Sequence, residues 1–330
     1  MWRRIATLCI WAILFLLHNN GYAAAAELTK LRVGILIAGE FSPTFIAQKK
    51  GFFEKHGLSV DLVYFQGGSQ AVQGMLAGNV PLIVTAGPEG VVAKIQGADI
   101  LLLSTNNTTL AFTLFVSPDI KKPEDLRGKK AGISRFGSSS DHSIKFMFQK
   151  LGLMEKDVTV VEMGDNPTRL AALTTKSVHA SVFSVPYSVV VRKAGFSPML
   201  EGHKLGLKFQ GSGIATTTAF IREHRPVVEQ FFKGFLEGVH FAKTHRDESV
   251  RLIKEFLKLK ELDEAEETYR VIIQEIQPQK PYPLKEGIET VLRIVEKTVP
   301  KAKDANPEDI INDSVMKKID ESGFIDKLYK

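Results

Sequence analysis

The sequence predicts an α/β protein of two lobes, each a mostly parallel sheet flanked by helices. Three observations carry this reading. Short apolar runs alternate with amphipathic stretches, the breaks between them are rich in Gly, Pro and Ser, and the pattern occurs twice along 330 residues. The composition, 44% hydrophobic and 24% charged, suits a folded chain with a sizeable core and excludes a disordered or fibrous one. The basic excess of +6 is spread without blocks of like charge, which excludes an electrostatic footprint for nucleic acid.

Residues 31–37 read as a buried strand, followed by Gly39-Glu40-Phe41-Ser42-Pro43, where Ser42 is suited to cap and Pro43 to enter the first turn of a helix reaching Lys50. Residues 59–65 form the next strand, Gly67-Gly68-Ser69 the turn into a helix, and Gly78 its stop. Residues 81–86 are a third strand, Gly87-Pro88-Glu89 opens another helix, and 100–104 is a fourth strand. Three successive strand, loop and helix units favour a parallel sheet with right-handed crossovers.

A strand at 111–116 carries the chain into the second region. There a short helix at 121–127, a strand at 129–134 and the polar turn Gly137-Ser138-Ser139-Ser140-Asp141 lead into a helix ending near Leu151. A strand at 158–163, a helix from Pro167 to Thr175, a strand at 179–184 and a helix after Pro186-Tyr187 repeat the earlier pattern. Residues 216–221 are read as a strand returning to the first lobe, and the chain beyond Pro226 as helical. Phe231, Phe235, Val239 and Ala242 recur at helical spacing and mark a core-facing stripe.

At the start of the chain, Arg3 and Arg4 precede an apolar run at 5–17 and an alanine tract at 23–26, the pattern of a secretory signal cleaved after Ala26. The only cysteine, Cys9, lies inside that signal, so the mature chain has no thiol for disulfides, thiolate metal sites or nucleophilic catalysis. Phosphate-loop, dinucleotide, nucleophile-elbow and zinc-protease motifs are missing, and the eight histidines are dispersed. No metal or cofactor is expected. What recurs is a polar or glycine-rich loop after strand upon strand, each opening a helix, at the sheet edge where ligands bind in open α/β folds.

The stretch Ala47-Gln48-Lys49-Lys50-Gly51-Phe52-Phe53-Glu54-Lys55-His56-Gly57-Leu58, with Val60-Asp61-Leu62, Gly67-Gly68-Ser69 and Pro123-Glu124-Asp125-Leu126-Arg127-Gly128-Lys129-Lys130, resembles the periplasmic solute-binding proteins of ABC importers. Within these it resembles the group for nitrate, sulfonates, taurine and thiamine pyrimidines. The resemblance implies a periplasmic binding protein type II fold with a ligand cleft between the lobes. It implies a monomer in the periplasm that captures a small solute by hinge closure and hands it to a permease and its ATPase, without enzymatic activity or nucleic-acid binding. Residues 27–113 and 217–330 then form lobe 1 with the helical tail, and 114–216 lobe 2.

Cleft positions carried over by the resemblance are Glu40, Phe41, Gly68, Ser69, Thr85, Ala86 and Gly87 in the first lobe, and Arg135, Ser138, Ser139, Ser140, Asn166, Pro186 and Tyr187 in the second. Arg135 beside the serines suits a carboxylate, sulfonate or phosphate, Phe41 and Tyr187 suit a flat or apolar body, and Glu40 suits an amine. Glu40 and the Val185-Pro186-Tyr187 sequence depart from the group's usual pattern, so the solute is left open between an anion, a zwitterion and a heterocycle. Two other classes compete: a pyrimidine-synthase-like enzyme on this fold, disfavoured because the mature chain has no cysteine, and a solute sensor.

Overall fold

The computed structural model describes residues 27–330 apart from Ala86 and Lys297; the expected signal, Cys9 and Ala86, an expected cleft position, lie outside the described residues. The first four strands are β1 (Thr29–Ile35), β2 (Leu58–Tyr64), β3 (Leu82–Ile83) and β4 (Leu101–Leu102). They are followed by β5 (Thr113–Val116), β6 (Lys129–Ile133), β7 (Val158–Glu162), β8 (Ala180–Phe183), β9 (Ser197–Glu201) and β10 (Ala215–Thr216). They make two five-stranded sheets, ordered β2-β1-β3-β10-β4 and β7-β6-β8-β5-β9. The orders are equivalent. In each sheet the strand on a crossing, β10 or β5, runs antiparallel between two neighbours, while β1 with β2 and β3, and β6 with β7 and β8, pair in parallel.

Two expectations are corrected. Residues 216–221 are not a strand. Only Ala215–Thr216 pairs, because Thr217 turns its hydroxyl to accept from the Phe220 N–H at 3.0 Å and Asp99 accepts from the Thr218 N–H at 2.9 Å. The β-branched run reads as extended, yet these two acceptors satisfy the free N–H groups of the helix Thr218–Glu223. Ser42 does not cap either: it is the first residue of the helix Ser42–Lys49, and its Oγ donates back to the Gly39 carbonyl at 2.7 Å. The sequence reading also overlooks β9, which contains Pro198 and meets β5 across a register shift between Leu114 and Phe115.

The crossings lie side by side. Leu103 N–H donates to Ile214 at 2.8 Å and Asn106 N–H to Ser212 at 2.8 Å. Buried Gln210 bridges the Ser104 carbonyl, at 3.2 Å, and the Thr105 hydroxyl. Contact is close enough that a Cβ on Gly213 would sit 2.1 Å from the Ser104 carbonyl oxygen.

Behind the first sheet, the helix Arg225–Thr244 turns its apolar face to the core, and Phe231, Phe235, Val239 and Ala242 are all fully buried. Phe53, from the Gly51-Phe52-Phe53 signature, stacks on Phe231 with ring centroids 5.0 Å apart. Truncating Phe53 to Ala removes a fully buried ring from this contact. The expected loss is about 3–5 kcal/mol, read as a lower denaturant midpoint with an unchanged slope.

Candidate solute-binding cleft

The loops after β1, β2, β3, β6, β7 and β8 converge on one cavity of about 490 Å³ between the sheets. Its walls are largely apolar, with Leu36, Phe41, Phe65, Phe112 and Phe209 on them, and its polar groups gather on the second sheet's side. There the helix Ser139–Lys150 begins, and Ser134, Ser138 and Ser140 form a closed ring of hydroxyls, each pair 2.9 Å apart. Ser140 also accepts from the Ser134 N–H at 2.9 Å. Uncommitted N–H groups and the positive end of the helix dipole face the same region.

Beside the serines begins the helix Asn166–Thr174, capped by Asp165, which accepts from the Thr168 N–H at 3.0 Å. One turn in lies Arg169, buried on the cavity wall. Its guanidinium donates to the Val182 carbonyl and to Asn166 Oδ1, stacks 5.1 Å from the Phe183 ring, and leaves Nε without a partner. No carboxylate among the described residues lies within ion-pair distance of it. Burial lowers its pKa to about 10, still cationic at neutral pH. Because Oδ1 of Asn166 is held by Arg169, the amide N–H groups are the part of Asn166 available for other contacts.

Two carboxyl groups are buried on the first sheet's side. Glu40, in the turn Gly39–Phe41, lines the cavity with Oε2 unpartnered, and burial raises its pKa to about 7. Glu89, at the start of the helix Pro88–Ile95, is likewise raised to about 7 by burial, offset by hydrogen bonds from Ser139, its own backbone, Gly87 and Thr85. The Ser139 hydroxyl reaches Glu89 across the cleft at 2.6 Å. Two further polar contacts span the flanks: Arg135 Nη2 to Gln66 at 3.0 Å and Lys193 to Asp263 at 2.6 Å.

Of the positions named from sequence, Glu40, Phe41, Gly68, Thr85, Ser138, Ser139, Ser140, Asn166 and Tyr187 lie on the cavity wall. Four others do not. Arg135 is on the rim, its guanidinium drawn off by Gln66 and Glu162. Ser69 faces Gly137 on the flank, and Pro186 is buried behind the loop whose Val185 carbonyl abuts Gly39. Gly87 packs against the crossing, where a Cβ would fall 1.7 Å from the Gly211 carbonyl oxygen. Arg169, Asn107, Ser212 and Lys258 are on the wall and were missed. Arg169 had one available signal, a lone arginine three residues after Asn166 in an otherwise apolar helix segment.

Residues 38–249 match the family described as NMT1/THI5 like, and that span contains the cavity-lining residues except Leu36, Ile37, Leu257 and Lys258. The chain belongs to the NMT1/THI5-like family. A proposed aliphatic-sulfonates-binding protein of Bacillus subtilis (strain 168) is 28% identical over 269 residues, covering 76% of this chain and 77% of its own. The alkanesulfonate-binding protein SsuA of Xanthomonas axonopodis pv. citri, solved bound to MOPS, superposes with a TM-score of 0.71 at 21% identity, over 86% of this chain and 96% of its own. The nitrate-binding protein NrtA of Synechocystis PCC 6803 superposes with a TM-score of 0.76 at 11% identity, over 90% and 89%. This NMT1/THI5-like chain thus has the periplasmic binding protein fold. Among its described residues no helix is long and apolar enough to cross a membrane, and no three His, Cys, Asp or Glu side chains gather as metal ligands.

The two buried acids set a pH dependence. Each is raised from 4.5 to about 7 in the folded chain, so the native state holds more protons than the unfolded one between those values and stability falls as pH rises through them. Each contributes a slope of up to about 1.4 kcal/mol per pH unit. Thermal melts across this window should show the decline, and Glu40→Gln should remove its share. By contrast, Gly87→Ala should destabilise the protein at every pH, by about 1–3 kcal/mol, because it forces backbone from backbone.

Proposed function

We propose that this chain is the solute-binding component of an ABC importer, that it works in the periplasm as a monomer after loss of its signal, and that its solute is an organic sulfonate or a molecule of similar shape. It binds and does not catalyse. Residues 27–113 with 217–330, and 114–216, act as two lobes that close on the solute and present it to a permease.

The observation that carries this reading is the asymmetry of the cavity. One end offers the hydroxyl ring, the Asn166 amide and the buried Arg169 cation without an ion-paired carboxylate; away from it Leu36, Phe41, Phe65, Phe112 and Phe209 give a mainly apolar surface. Asp165 acts on the buried guanidinium only from beyond ion-pair distance, so an oxyanion supplies the direct partner, and a hydrocarbon or ring fills the remainder. Size favours a larger solute than nitrate, since an ion of about two waters' volume, some 60 Å³, leaves most of 490 Å³ empty. The sulfonate assignments of the B. subtilis and X. axonopodis proteins support the same head group.

Thermal melts of solute-free protein test this. Alkyl and aryl sulfonates at a thousand times their Kd add about 4 kcal/mol, which should raise the midpoint by roughly several degrees. Nitrate should leave it unmoved. Asn166→Ala should weaken sulfonate binding by about tenfold while the unliganded midpoint stays within a few degrees. If nitrate gives the larger shift, the organic-solute reading fails.

A further inference from the structure

The cavity carries a second charge-capable group that the sulfonate reading leaves unused. Glu40 is 8% exposed, lies on the wall, and makes no hydrogen bond or ion pair to any described side chain. Its Oε2 is buried and unpartnered. An acid in that position is a net cost to the folded chain unless something outside the chain satisfies it. The other polar groups on the wall are largely donors: Ser138, Ser139, Thr85, the Asn166 amide, Arg169 and Lys258. Asp165, the other carboxylate there, is exposed and already accepts from Thr168.

We infer that Glu40 is a specificity-determining residue that reads a basic nitrogen on the solute, so that the preferred solute is an organic zwitterion held by its oxyanion on the second sheet and by its ammonium on Glu40. This rests on the solute-binding reading above. A cationic nitrogen donates a charge-assisted hydrogen bond to the carboxylate and supplies the counter-ion that the protein does not. Capture then ionises Glu40. The carboxyl proton leaves to solvent, the ammonium of the solute is unchanged, and the complex forms with release of a proton at any pH where the unliganded acid is protonated.

Of the two buried acids, Glu40 is the one on the cavity wall. Burial is the main influence on it, opposed only by its own backbone N–H, with no neighbouring charge contributing. The remaining titratable or charged groups on the wall are Tyr64, Asp165, Arg169, Tyr187 and Lys258. The π-helical segment Tyr269–Ile276 packs behind the Glu40 turn, and its charges, Arg270 and Glu275, pair with each other, Arg270 also with Glu267. Glu264, in the helix Leu262–Thr268, and Lys193 lie near one another beside Tyr187. Glu89 sits behind Gly68 and is engaged by Ser139.

The test compares two isosteric probes on the solute-free protein: cyclohexylaminopropanesulfonate, whose amine is cationic at neutral pH, and cyclohexylbutanesulfonate, which has a methylene in place of the nitrogen. Calorimetry at about pH 6 in buffers of different ionisation enthalpy counts the protons released. The amine is expected to bind about tenfold tighter or better and to release close to one proton, with no release for its isostere. In Glu40→Gln, whose folding is checked by its melt, the preference should fall to within about twofold and the proton release vanish. Equal affinity of the two probes, or tighter binding without proton release, overturns the role of Glu40 and leaves the sulfonate reading standing. Failure of both probes to bind overturns the sulfonate reading and this inference with it.

Discussion

The chain passes between its sheets twice, and the pairing of those two passages is the constraint on which the cleft depends. Leu103 and Asn106 on the outgoing pass bond to Ile214 and Ser212 on the return, and buried Gln210 ties Ser104 and Thr105 into the same seam. A buried seam held by paired backbone groups and by Gln210 is stiff across its width and allows bending along it. Because β5 and β10 both issue from it and each runs antiparallel inside its own sheet, the seam sets where each sheet's parallel strands end. The facing edges, and hence the cavity, follow from that placement.

Each lobe brings a different electrostatic character to the cleft. The second sheet supplies helix starts, hydroxyls and a guanidinium; the first supplies apolar rings and two carboxyl groups whose pKa burial raises to about 7. The Ser139 to Glu89 bond is where the two characters touch, a donor from one lobe answering an acceptor from the other at 2.6 Å.

Much of this was legible in the sequence because strand, loop and helix punctuation is local. Gly39 to Pro43, Gly67 to Ser69 and Gly137 to Asp141 announce helix starts by residue type alone, and those starts form the cavity rim. What was not legible depends on partners far along the chain. Arg135 reads as an anion ligand until Gln66, 69 residues away, captures it. Arg169, passed over in the sequence, owes its place to partners 13 residues on, the Val182 carbonyl and then the Phe183 ring. The threonine run at 216–218 reads as a strand until Asp99 arrives from the other side of the sheet to accept from its N–H groups.

The hydroxyl ring of Ser134, Ser138 and Ser140 has a property that a single serine lacks. Each hydroxyl has one proton to give and room to accept, so the ring's protons can circulate in either sense, and only Ser140 has an acceptor site committed elsewhere, to the Ser134 N–H. Reversing the sense exchanges giver and taker around the ring without moving a heavy atom. A solute oxygen that accepts opens the ring at one hydroxyl, whose proton turns outward, and a solute group that donates meets a spare lone pair on Ser134 or Ser138, so both meet the same three oxygens in the same positions. Chemical tolerance is thus stored in hydrogen positions, so that a cleft of fixed shape can admit head groups that differ in protonation while its walls continue to discriminate by size.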